Sequence, residues 1–325
     1  MPMLRLLKER LRRPYASFLD LATRWSGGRA GLALVYHRVD ASQQDRDTHL
    51  VAAIGSDLFE DQLRRLRSRY RLVPASGLLE AVRTRRRGQR LPVAITFDDD
   101  LPSHIQLAMP TLARLGVPAT FFLSGASLDR PFAFWWERLQ RAFDDPGVSE
   151  RDLRRELSLA APGAGSEGIR GLASQIEAMS PGDREETSRR LLRRIGADPA
   201  DAGLRKRDVG ALVAAGFEIG FHTRGHHPLP RLSNEDLERA LSEGRRELED
   251  ITRTELSLIA YPHGKANPRV ARAARAVGYR MGFTTIPEPV GADTDPLLIG
   301  RLHPFYHSVG HFELELARAL RGVES

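Results

Sequence analysis

Two clusters of polar residues, far apart in the chain, contain side chains that commonly bind metal ions. Three consecutive aspartates at 98–100 directly follow an apolar run, and His222 and His226 follow another. Carboxylates offer oxygen ligands, and two imidazoles four residues apart can reach one cation. One carboxylate with two histidines leaves coordination positions open for water and substrate, as in catalytic metal sites. The pattern therefore predicts a hydrolytic metal site.

Short apolar runs indicate the elements that must position these clusters. They lie at 32–36, 70–73, 93–97, 119–123, 217–221, 256–261, 279–283 and 298–302. Helical patterns separate them, which predicts parallel strands joined by crossovers. Runs that are apolar throughout suit strands buried on both faces, as in a closed (β/α) barrel. The active sites of such barrels lie at the C-terminal strand ends, where both polar clusters occur.

The composition restricts the classes of function. The chain has 325 residues, of which 41% are hydrophobic and 28% charged, and this balance suits a well-packed globular protein. Because the chain has no cysteine, His, Asp or Glu must supply any metal ligand. The formal net charge is +7, but the basic residues are scattered and lack interleaved aromatic residues. We therefore expect no nucleic-acid partner.

The N-terminal segment 1–25 is basic and amphipathic. Charged residues from Arg5 onwards interrupt it, so we expect neither a secretory signal nor a transmembrane helix. The helical spacing of Leu4, Leu7 and Leu11 allows contact with an anionic membrane surface, and packing on the rest of the chain is the alternative. The expected location is cytoplasmic, with membrane association left open. The oligomeric state is also left open.

Residues 26–325 are predicted to form one domain with a helical insertion at about 130–208. The stretch between 123 and 217 has no convincing strand pattern, although a parallel crossover needs only a dozen or more residues. The surplus is expected either to cap the site or only to add stability. Trp135 and Trp136, near its start, are either core residues or platforms for sugar rings.

The segments at the predicted strand ends resemble the motifs of a known family. Thr96-Phe97-Asp98-Asp99-Asp100 is similar to the TFDDG motif of the polysaccharide deacetylases with a NodB-homology domain, also called carbohydrate esterase family 4. His222-Thr223-Arg224-Gly225-His226 resembles its H(S/T)xxH motif, and Tyr261-Pro262-His263-Gly264 resembles its Pro-aromatic-Gly turn. Val35-Tyr36-His37-Arg38-Val39 is similar to a YHxV strand of the exopolysaccharide-associated branch. The resemblance extends over about residues 32–305.

This resemblance implies a fold, a reaction and roles for individual residues. The implied fold is a distorted (β/α) barrel of about seven parallel strands. Asp98 is the implied general base, and Asp99, His222 and His226 are the implied ligands of a divalent metal, most often zinc, with other divalent transition metals as alternatives. The implied reaction removes N-acetyl groups from an amino sugar in a polysaccharide, oligosaccharide or lipid-linked glycan. An N-acetylated glycan is therefore the expected partner.

Hydrolysis of an acetamide needs an activated water, a stabilised oxyanion and a proton for the leaving amine. A divalent cation serves the first two needs. Asp98 would take the proton of the water, and backbone N–H groups near Tyr261 would complete an oxyanion hole. His303 is the expected proton donor to the leaving nitrogen and His37 is its rival, while a structural hydrogen-bonding role is open for either histidine.

Three positions depart from the family pattern. Asp100 stands at a usual glycine, Ala260 at an arginine that contacts the base, and His263 at a common aromatic position. Arg301, at the end of a neighbouring predicted strand, is the candidate substitute for the missing arginine. Asp100 is expected either to cap the following helix or to contact the substrate.

Three alternative functions stay open at this point. The same groups can hydrolyse an O-acetyl ester on a glycan, which is an easier bond to break. The chain can also be a catalytically inactive glycan-binding homologue, which Asp100 and Ala260 favour and the four retained residues of the first two motifs oppose. An iron oxygenase with two histidines and one carboxylate is disfavoured, because it would require a jelly-roll pattern of strands.

Overall fold

The apolar runs of the sequence form the strands of a curled, mainly parallel sheet. The computed structural model describes residues 2–42, 49–51, 53–161, 168–304 and 308–322. Its strands are β1 (Ala30–Tyr36), β2 (Arg38–Asp40), β3 (Ala53–Gly55), β4 (Arg71–Val73), β5 (Pro92–Asp98), β6 (Thr120–Leu123), β7 (Glu218–Phe221), β8 (Leu258–Ala260), β9 (Met281–Phe283) and β10 (Val290–Gly291).

The main sheet has the strand order β10-β1-β5-β6-β7-β8-β9. Strand β4 pairs with the first residues of β5, on the same edge of β5 as β6. Seven of these eight strands run parallel, and only β10 is antiparallel to its neighbour β1. The strands β2 and β3 form a separate parallel pair. The predicted barrel of about seven parallel strands is therefore confirmed. Strands β2, β3 and β10 have only two or three residues each, too few to show a periodic pattern in the sequence.

Helices pack around the sheet in the order that the alternating pattern predicts. They are α1 (Pro2–Trp25), α2 (Ser56–Arg69), α3 (Leu78–Arg83), α4 (Met109–Leu115), α5 (Trp135–Phe143), α6 (Glu150–Glu156), α7 (Gly168–Ala178), α8 (Pro181–Ile195), α9 (Lys206–Ala214), α10 (Asn234–Ser242), α11 (Arg245–Thr252), α12 (Pro268–Ala276) and α13 (Val309–Ala319). No helix of the described part of the chain is long and apolar enough to cross a membrane.

The predicted last strand, 298–302, closes the ring through isolated bridges instead of a regular ladder. Ile299 bridges in parallel to Phe283 of β9, and Leu302 bridges in parallel to Leu34 of β1. Backbone hydrogen bonds of 2.8 to 3.0 Å accompany both bridges. This closing segment therefore joins the two ends of the parallel sheet and completes a distorted barrel.

Strand β5 shows how alternation places a charged residue inside the barrel. All of its residues are buried. Val93, Ile95 and Phe97 belong to the core shared with α2 and α4, whereas Ala94 belongs to a second cluster with residues of β8 and β9. Because alternate side chains of a strand share a face, Asp98 lies on the same side as Ala94, in the barrel interior.

Helices α5 to α9 lie between β6 and β7, and α5 packs against α7 and α8. Trp135 and Trp136 are buried in the apolar core of these helices, at 9% and 7% exposure. A buried ion pair between Arg138 of α5 and Asp198 joins α5 to the chain beyond α8. This helical segment therefore has a core of its own.

Helix α1 packs along α13. Ala16 and Leu19 form a small buried cluster with Leu314 and Ala317. Packing on the rest of the chain, one of the two alternatives for the segment 1–25, is thus observed for part of α1. The side chains at positions 4, 7 and 11, which carried the membrane alternative, lie outside those that the structure describes.

Candidate metal centre

The two polar clusters meet at the C-terminal end of the barrel. Asp98 ends β5 and is followed by Asp99 and Asp100, and His222 follows β7 directly. Strands β5 and β7 are the two neighbours of β6, so their C-terminal ends lie close together. These side chains and that of His226 are at most 8% exposed. The parallel topology thus brings together residues that are far apart in the chain.

Asp99, His222 and His226 form a cluster that fits one metal ion. Oδ1 of Asp99 lies 3.5 Å from Nε2 of His222 and 3.4 Å from Nε2 of His226. Three such ligand atoms, one from each residue, lie within 4.8 Å of one another. Ligands bound at about 2.1 Å in a tetrahedral arrangement are themselves roughly 3.4 Å apart. The buried Oδ1 of Asp99 has no hydrogen-bond donor among the described residues, and the mixed donor set suits a divalent transition metal.

Left-handed backbone conformations allow this convergence. Asp99, Thr223 and His226 have φ angles of +75°, +56° and +45°. Non-glycine residues rarely adopt such angles, and those that do are frequent at functional sites. In a regular strand, Asp98 and Asp99 would point to opposite faces. The turn at Asp99 instead directs both carboxylates towards His222, at 4.0 and 3.5 Å from its Nε2.

The barrel orients His222 by a hydrogen bond. Nδ1 of His222 lies 2.8 Å from the carbonyl oxygen of Ala260, at the end of β8. An N–H donated from Nδ1 leaves Nε2 unprotonated and directed towards Asp99, as a metal ligand requires. Burial lowers the pKa of His222, which favours the same neutral form.

Aromatic rings pack around the imidazole of His226. Its ring centroid lies 4.5 Å from that of Trp136, 5.5 Å from that of Phe134 and 4.8 Å from that of His263. Its Nδ1 is buried and has no hydrogen-bond partner among the described residues. Burial lowers the pKa of His226 well below its ordinary value. The N-terminal end of α5 therefore forms one side of the metal centre.

Asp98 is paired with Arg301 in the barrel interior. Nη1 and Nη2 of Arg301 each donate to one carboxylate oxygen of Asp98 at 2.6 Å. The guanidinium also donates to Oγ1 of Thr96 and to the carbonyl of Thr284, and it is completely buried. Burial alone would raise the pKa of Asp98, but Arg301 and His222 outweigh it and hold the pKa well below its usual range. Asp98 is therefore ionised at neutral pH.

The other two aspartates have raised pKa values. Burial raises the pKa of Asp99 well above its ordinary value, and the neighbouring Asp98 carboxylate adds to the effect. Burial also raises the pKa of Asp100. The Asp100 carboxylate accepts hydrogen bonds from the backbone and hydroxyl of Ser124 and from the hydroxyl of Ser127. Asp100 thus holds the loop after β6. Capping of the following helix, one of its two expected roles, is not among its described hydrogen bonds.

His37 and His303 lie together at the end of β1. Their rings stack with centroids 5.7 Å apart and planes at 15°. His37 is partly buried, whereas His303 is exposed. Burial lowers the pKa of His37 to about 3, so its ring is neutral at physiological pH. The structure thus places both candidates for the proton donor side by side.

The backbone N–H of Tyr261, in the region predicted to supply oxyanion donors, is engaged in the sheet. The backbone N–H of Tyr261 donates to the carbonyl of Phe283 at 3.0 Å, and its hydroxyl donates to the carbonyl of Leu297. The ladder between β8 and β9 thus extends through this residue and engages its N–H. The chain turns immediately afterwards, where His263 has a φ angle of +57°.

Sequence reasoning missed two carboxylates of the helical segment. Oε2 of Glu137 accepts a hydrogen bond from the backbone N–H of Phe134, and burial raises its pKa to about 7. Oε1 of Glu177 lies 3.5 Å from Nδ1 of His263 and 3.0 Å from Nζ of Lys265. The three-residue spacing of Phe134 and Glu137 at the start of α5 is that of a capping box, and it was a possible sequence signal for Glu137.

Comparison with known proteins agrees with this arrangement. The family model described as Polysaccharide deacetylase matches residues 85–151 and 182–282, which is just over half of the chain. The matched segments contain Asp98, Asp99, His222 and His226. The chain belongs to the polysaccharide deacetylase family.

Several proteins are similar to this deacetylase family member. The Bacillus subtilis (strain 168) protein YxkH is 27% identical over 92 residues, which are 28% of this chain and 32% of YxkH. The chain therefore spans about a third of the length of that curated relative. The Streptococcus pyogenes deacetylase PplD in complex with acetate superposes with a TM-score of 0.59 at 16% identity, covering 90% of this chain and 98% of PplD. IcaB from Ammonifex degensii gives 0.57 at 18% identity, covering 89% and 98%. Likeness at such identities shows a shared fold.

Proposed function

We propose that this chain is a metal-dependent deacetylase that removes N-acetyl groups from an amino sugar in a polysaccharide, oligosaccharide or lipid-linked glycan. The observation that carries the proposal is the convergence of Asp99, His222 and His226 beside the ionised carboxylate of Asp98. Three ligands for a cation and one separate base are the minimum for hydrolysis with an activated water. Membership of the deacetylase family supports the choice of an acetylated glycan.

Asp99, His222 and His226 would hold the cation, and zinc is the expected ion because nitrogen and oxygen ligands together suit it. A divalent cation at this position supplies activation of water and polarisation of the acetyl carbonyl. Asp98 accepts the proton of the attacking water, since it is ionised and has no metal-ligand role. Arg301 fixes the orientation of Asp98 through two parallel hydrogen bonds, which supports its role as the substitute for the arginine absent at position 260.

We assign His303 as the proton donor to the leaving nitrogen. Its exposed ring can exchange protons with solvent, and it stacks on the neutral ring of His37. His37 in turn has an unprotonated nitrogen that can accept a hydrogen bond from the substrate. We place the oxyanion donors in the turn after Tyr261, because the N–H of Tyr261 itself is paired. Asp100 supports the site by holding the loop after β6.

We retain the division into a segment 1–25 and a domain 26–325 with a helical insertion at about 130–208. The five helices that the structure describes between β6 and β7 support the insertion, as does the family model, which leaves 152–181 unmatched. We retain the assignment to the exopolysaccharide-associated branch, which rests on the similarity of the segment 35–39 to a YHxV strand.

Measurement of bound metal together with acetate release tests the proposal. We expect near-stoichiometric metal in the wild-type protein and its loss in the Asp99→Ala and His222→Ala variants. Acetate release from N-acetylated chito-oligosaccharides should fall with the metal, by more than roughly a hundredfold. The matched control is His227→Ala, since that ring lies beside Arg184 and outside the ligand cluster.

The same assay separates the alternatives. Acetate release from an O-acetylated xylan but from no N-acetylated glycan would identify an esterase. Bound metal without acetate release from either substrate class would favour the inactive glycan-binding homologue. A folded wild-type protein that binds no divalent metal would refute the catalytic proposal.

A further inference from the structure

Helix α1 exposes a stripe of large apolar side chains. Tyr15, Phe18, Leu21 and Trp25 are 52%, 64%, 55% and 52% exposed, and only Ile286 among the other described large hydrophobic residues is exposed to a similar degree. The spacings of three, three and four residues place them on one side of the helix. We refer to these four residues as the exposed stripe. Contiguous exposed apolar surface on a folded protein commonly marks an interaction site.

The opposite side of α1 is fixed to the protein. Ala16 and Leu19 are buried against α13. The carboxylate of Asp20 accepts hydrogen bonds of 2.8 and 2.9 Å from the hydroxyl of Tyr70, and Arg69 donates to the hydroxyl of Ser17. These contacts hold the helix in one rotational setting. The exposed stripe therefore cannot be buried by rotation of α1 and stays directed outward.

A basic loop lies next to the exposed stripe. The backbone N–H of Gly88 donates to the carbonyl of Arg24 at 3.0 Å, and an added Cβ at Gly88 would lie 3.4 Å from the indole of Trp25. The loop 83–90, in which we include the last residue of α3, presents four exposed arginines. They are Arg83, Arg86, Arg87 and Arg90. Among the described residues none of the four forms an ion pair, although Arg83 and Arg90 each donate to a backbone carbonyl. No described carboxylate neutralises their charge, which is therefore available to an anionic partner.

We propose that the exposed stripe and the basic loop 83–90 together form a docking surface for an anionic lipid bilayer. Apolar and aromatic side chains on one helix face enter the boundary between headgroups and acyl chains, while arginines contact anionic headgroups. Tryptophan and tyrosine are favoured at this depth because their rings are both apolar and polar. A symmetric contact with a second copy would instead bring two such basic loops close to each other, and like charges oppose that contact.

The position of this docking surface determines how the bound protein is oriented on the bilayer. Trp25 lies shortly before β1, and the loop 83–90 lies directly before β5, so both are at the N-terminal ends of these strands. The metal centre lies at the C-terminal ends. A bound protein therefore directs its metal centre away from the bilayer. The docking surface does not depend on the proposed function, since none of its residues belongs to the metal centre.

Vesicle binding by the full chain tests the proposal. We expect co-sedimentation with vesicles of phosphatidylcholine and phosphatidylglycerol, little with phosphatidylcholine alone, and weaker binding as salt is added. The triple variant Phe18→Gln, Leu21→Gln and Trp25→Gln should lose binding while keeping its melting temperature, because these side chains are more than half exposed. Ile286→Gln is the matched control, since it removes an exposed apolar side chain outside α1.

The charge contribution is tested separately. The double variant Arg86→Gln and Arg87→Gln should bind the anionic vesicles roughly thirtyfold more weakly, as expected for two charges near an anionic surface. The double variant Arg246→Gln and Arg280→Gln is the control, because both arginines are exposed and lie outside the basic loop.

Tryptophan fluorescence reports the depth of insertion. Trp25 is exposed, whereas Trp135 and Trp136 are buried, so vesicle binding should shift the emission of Trp25 to shorter wavelength. The variant Trp25→Phe should bind without this shift. Absence of binding to anionic vesicles, or equal binding by the triple variant, would overturn the proposal. A wild-type dimer that the triple variant dissociates would identify a second copy as the occupant. Metal binding and acetate release from soluble oligosaccharides should not change in any of these variants.

Discussion

The two histidines of the candidate metal centre are held by different kinds of contact. His222 makes a hydrogen bond to the carbonyl of Ala260 in the barrel, whereas His226 is surrounded by aromatic rings such as that of Trp136. A hydrogen bond fixes both the direction and the tautomer of an imidazole. Ring packing fixes position but not tautomer. The barrel thus fixes the direction and tautomer of His222, while the helical segment fixes only the position of His226.

Two buried ion pairs show the same contrast. Arg301 pairs with Asp98 in the barrel, and Arg138 pairs with Asp198 in the helical segment, each through two nitrogens and both carboxylate oxygens. Their chemistry is alike, but only the first lies beside the metal ligands. Loss of either pair should reduce stability. Only loss of the Arg301–Asp98 pair should also reduce turnover.

Substitution of Arg301 should give the largest effect. Arg301→Ala leaves the carboxylate of Asp98 buried and unpaired, which is expected to lower the free energy of unfolding by about 3–5 kcal/mol. Arg301→Lys keeps the charge but not the two parallel hydrogen bonds, so kcat should fall roughly ten- to hundredfold with a smaller loss of stability. Denaturant unfolding and acetate release measure the two effects.

Arg138→Lys provides the control for this prediction. It breaks the same two-point geometry at a pair whose side chains are also less than a tenth exposed, so a loss of stability of similar order is expected. Its kcat should stay within about twofold of the wild-type value, because surface and core changes away from the site act mainly on stability. Equal losses of kcat in both lysine variants would show that the two ion pairs do not differ in function.

The strand-end positions of the site were predictable because apolar runs bracket them. Each predicted run forms a strand or, at 298–302, the closing bridges. The convergence of the Asp and His clusters follows from the parallel order of β5, β6 and β7. The positive φ angle of Asp99 was not predictable, since nothing in the local sequence requires it.

Contacts between distant parts of the chain set the remaining features. Arg301 and Asp98 are 203 residues apart, and their pairing depends on how the ring closes. Glu137 and Glu177 reach the site because their helices dock on the barrel end. Periodicity identifies such helices but not the face of the barrel to which they attach. The exposed stripe on α1 was not predicted, because the two alternatives for segment 1–25 rested on the spacing of Leu4, Leu7 and Leu11.

Reduction of the ring packing around His226 should give an intermediate effect. Trp136→Leu removes the ring nearest to His226, so metal affinity should fall roughly tenfold. Trp135→Leu removes a neighbouring tryptophan that meets Trp136 edge to face, and the structure shows no ring contact between Trp135 and His226. Both variants should lose about 1–3 kcal/mol of stability. Metal titration should therefore distinguish them, and equal metal affinities would contradict the role of packing.

The pH dependence of stability should show the burial of Glu137. Its pKa is about 7 in the folded protein against an ordinary value of 4.5, so its contribution to stability is present below pH 4.5 and is lost as pH rises through 7. Glu137→Gln keeps an oxygen acceptor for the N–H of Phe134 and removes this loss. The free energy of unfolding of metal-free Glu137→Gln, measured relative to wild type, should increase by about 1–3 kcal/mol as the pH is raised from 4.5 to 8. Glu288→Gln, at an exposed position, should show no such trend.

The smallest effect is expected at the contact between Glu177 and His263. Glu177→Gln should lower kcat/KM roughly two- to fivefold without loss of metal, because pairs that are partly exposed contribute about 1 kcal/mol or less. Lys265→Gln removes the other partner of Glu177 and leaves the histidine contact in place. A larger fall in kcat/KM for Lys265→Gln than for Glu177→Gln would contradict a role for the Glu177–His263 contact and would indicate an effect of surface charge alone.

The closing segment 298–302 has a consequence for the order in which the site matures. A ribosome makes Asp98, Asp99, His222 and His226 well before it makes Arg301. A nascent chain can therefore gather its metal ligands while the carboxylate of Asp98 still lacks its guanidinium partner. Docking of the closing segment between β1 and β9 brings Arg301 to that carboxylate. Under the proposed function, catalytic competence therefore requires closure of this seam, and local opening of the same seam would remove it.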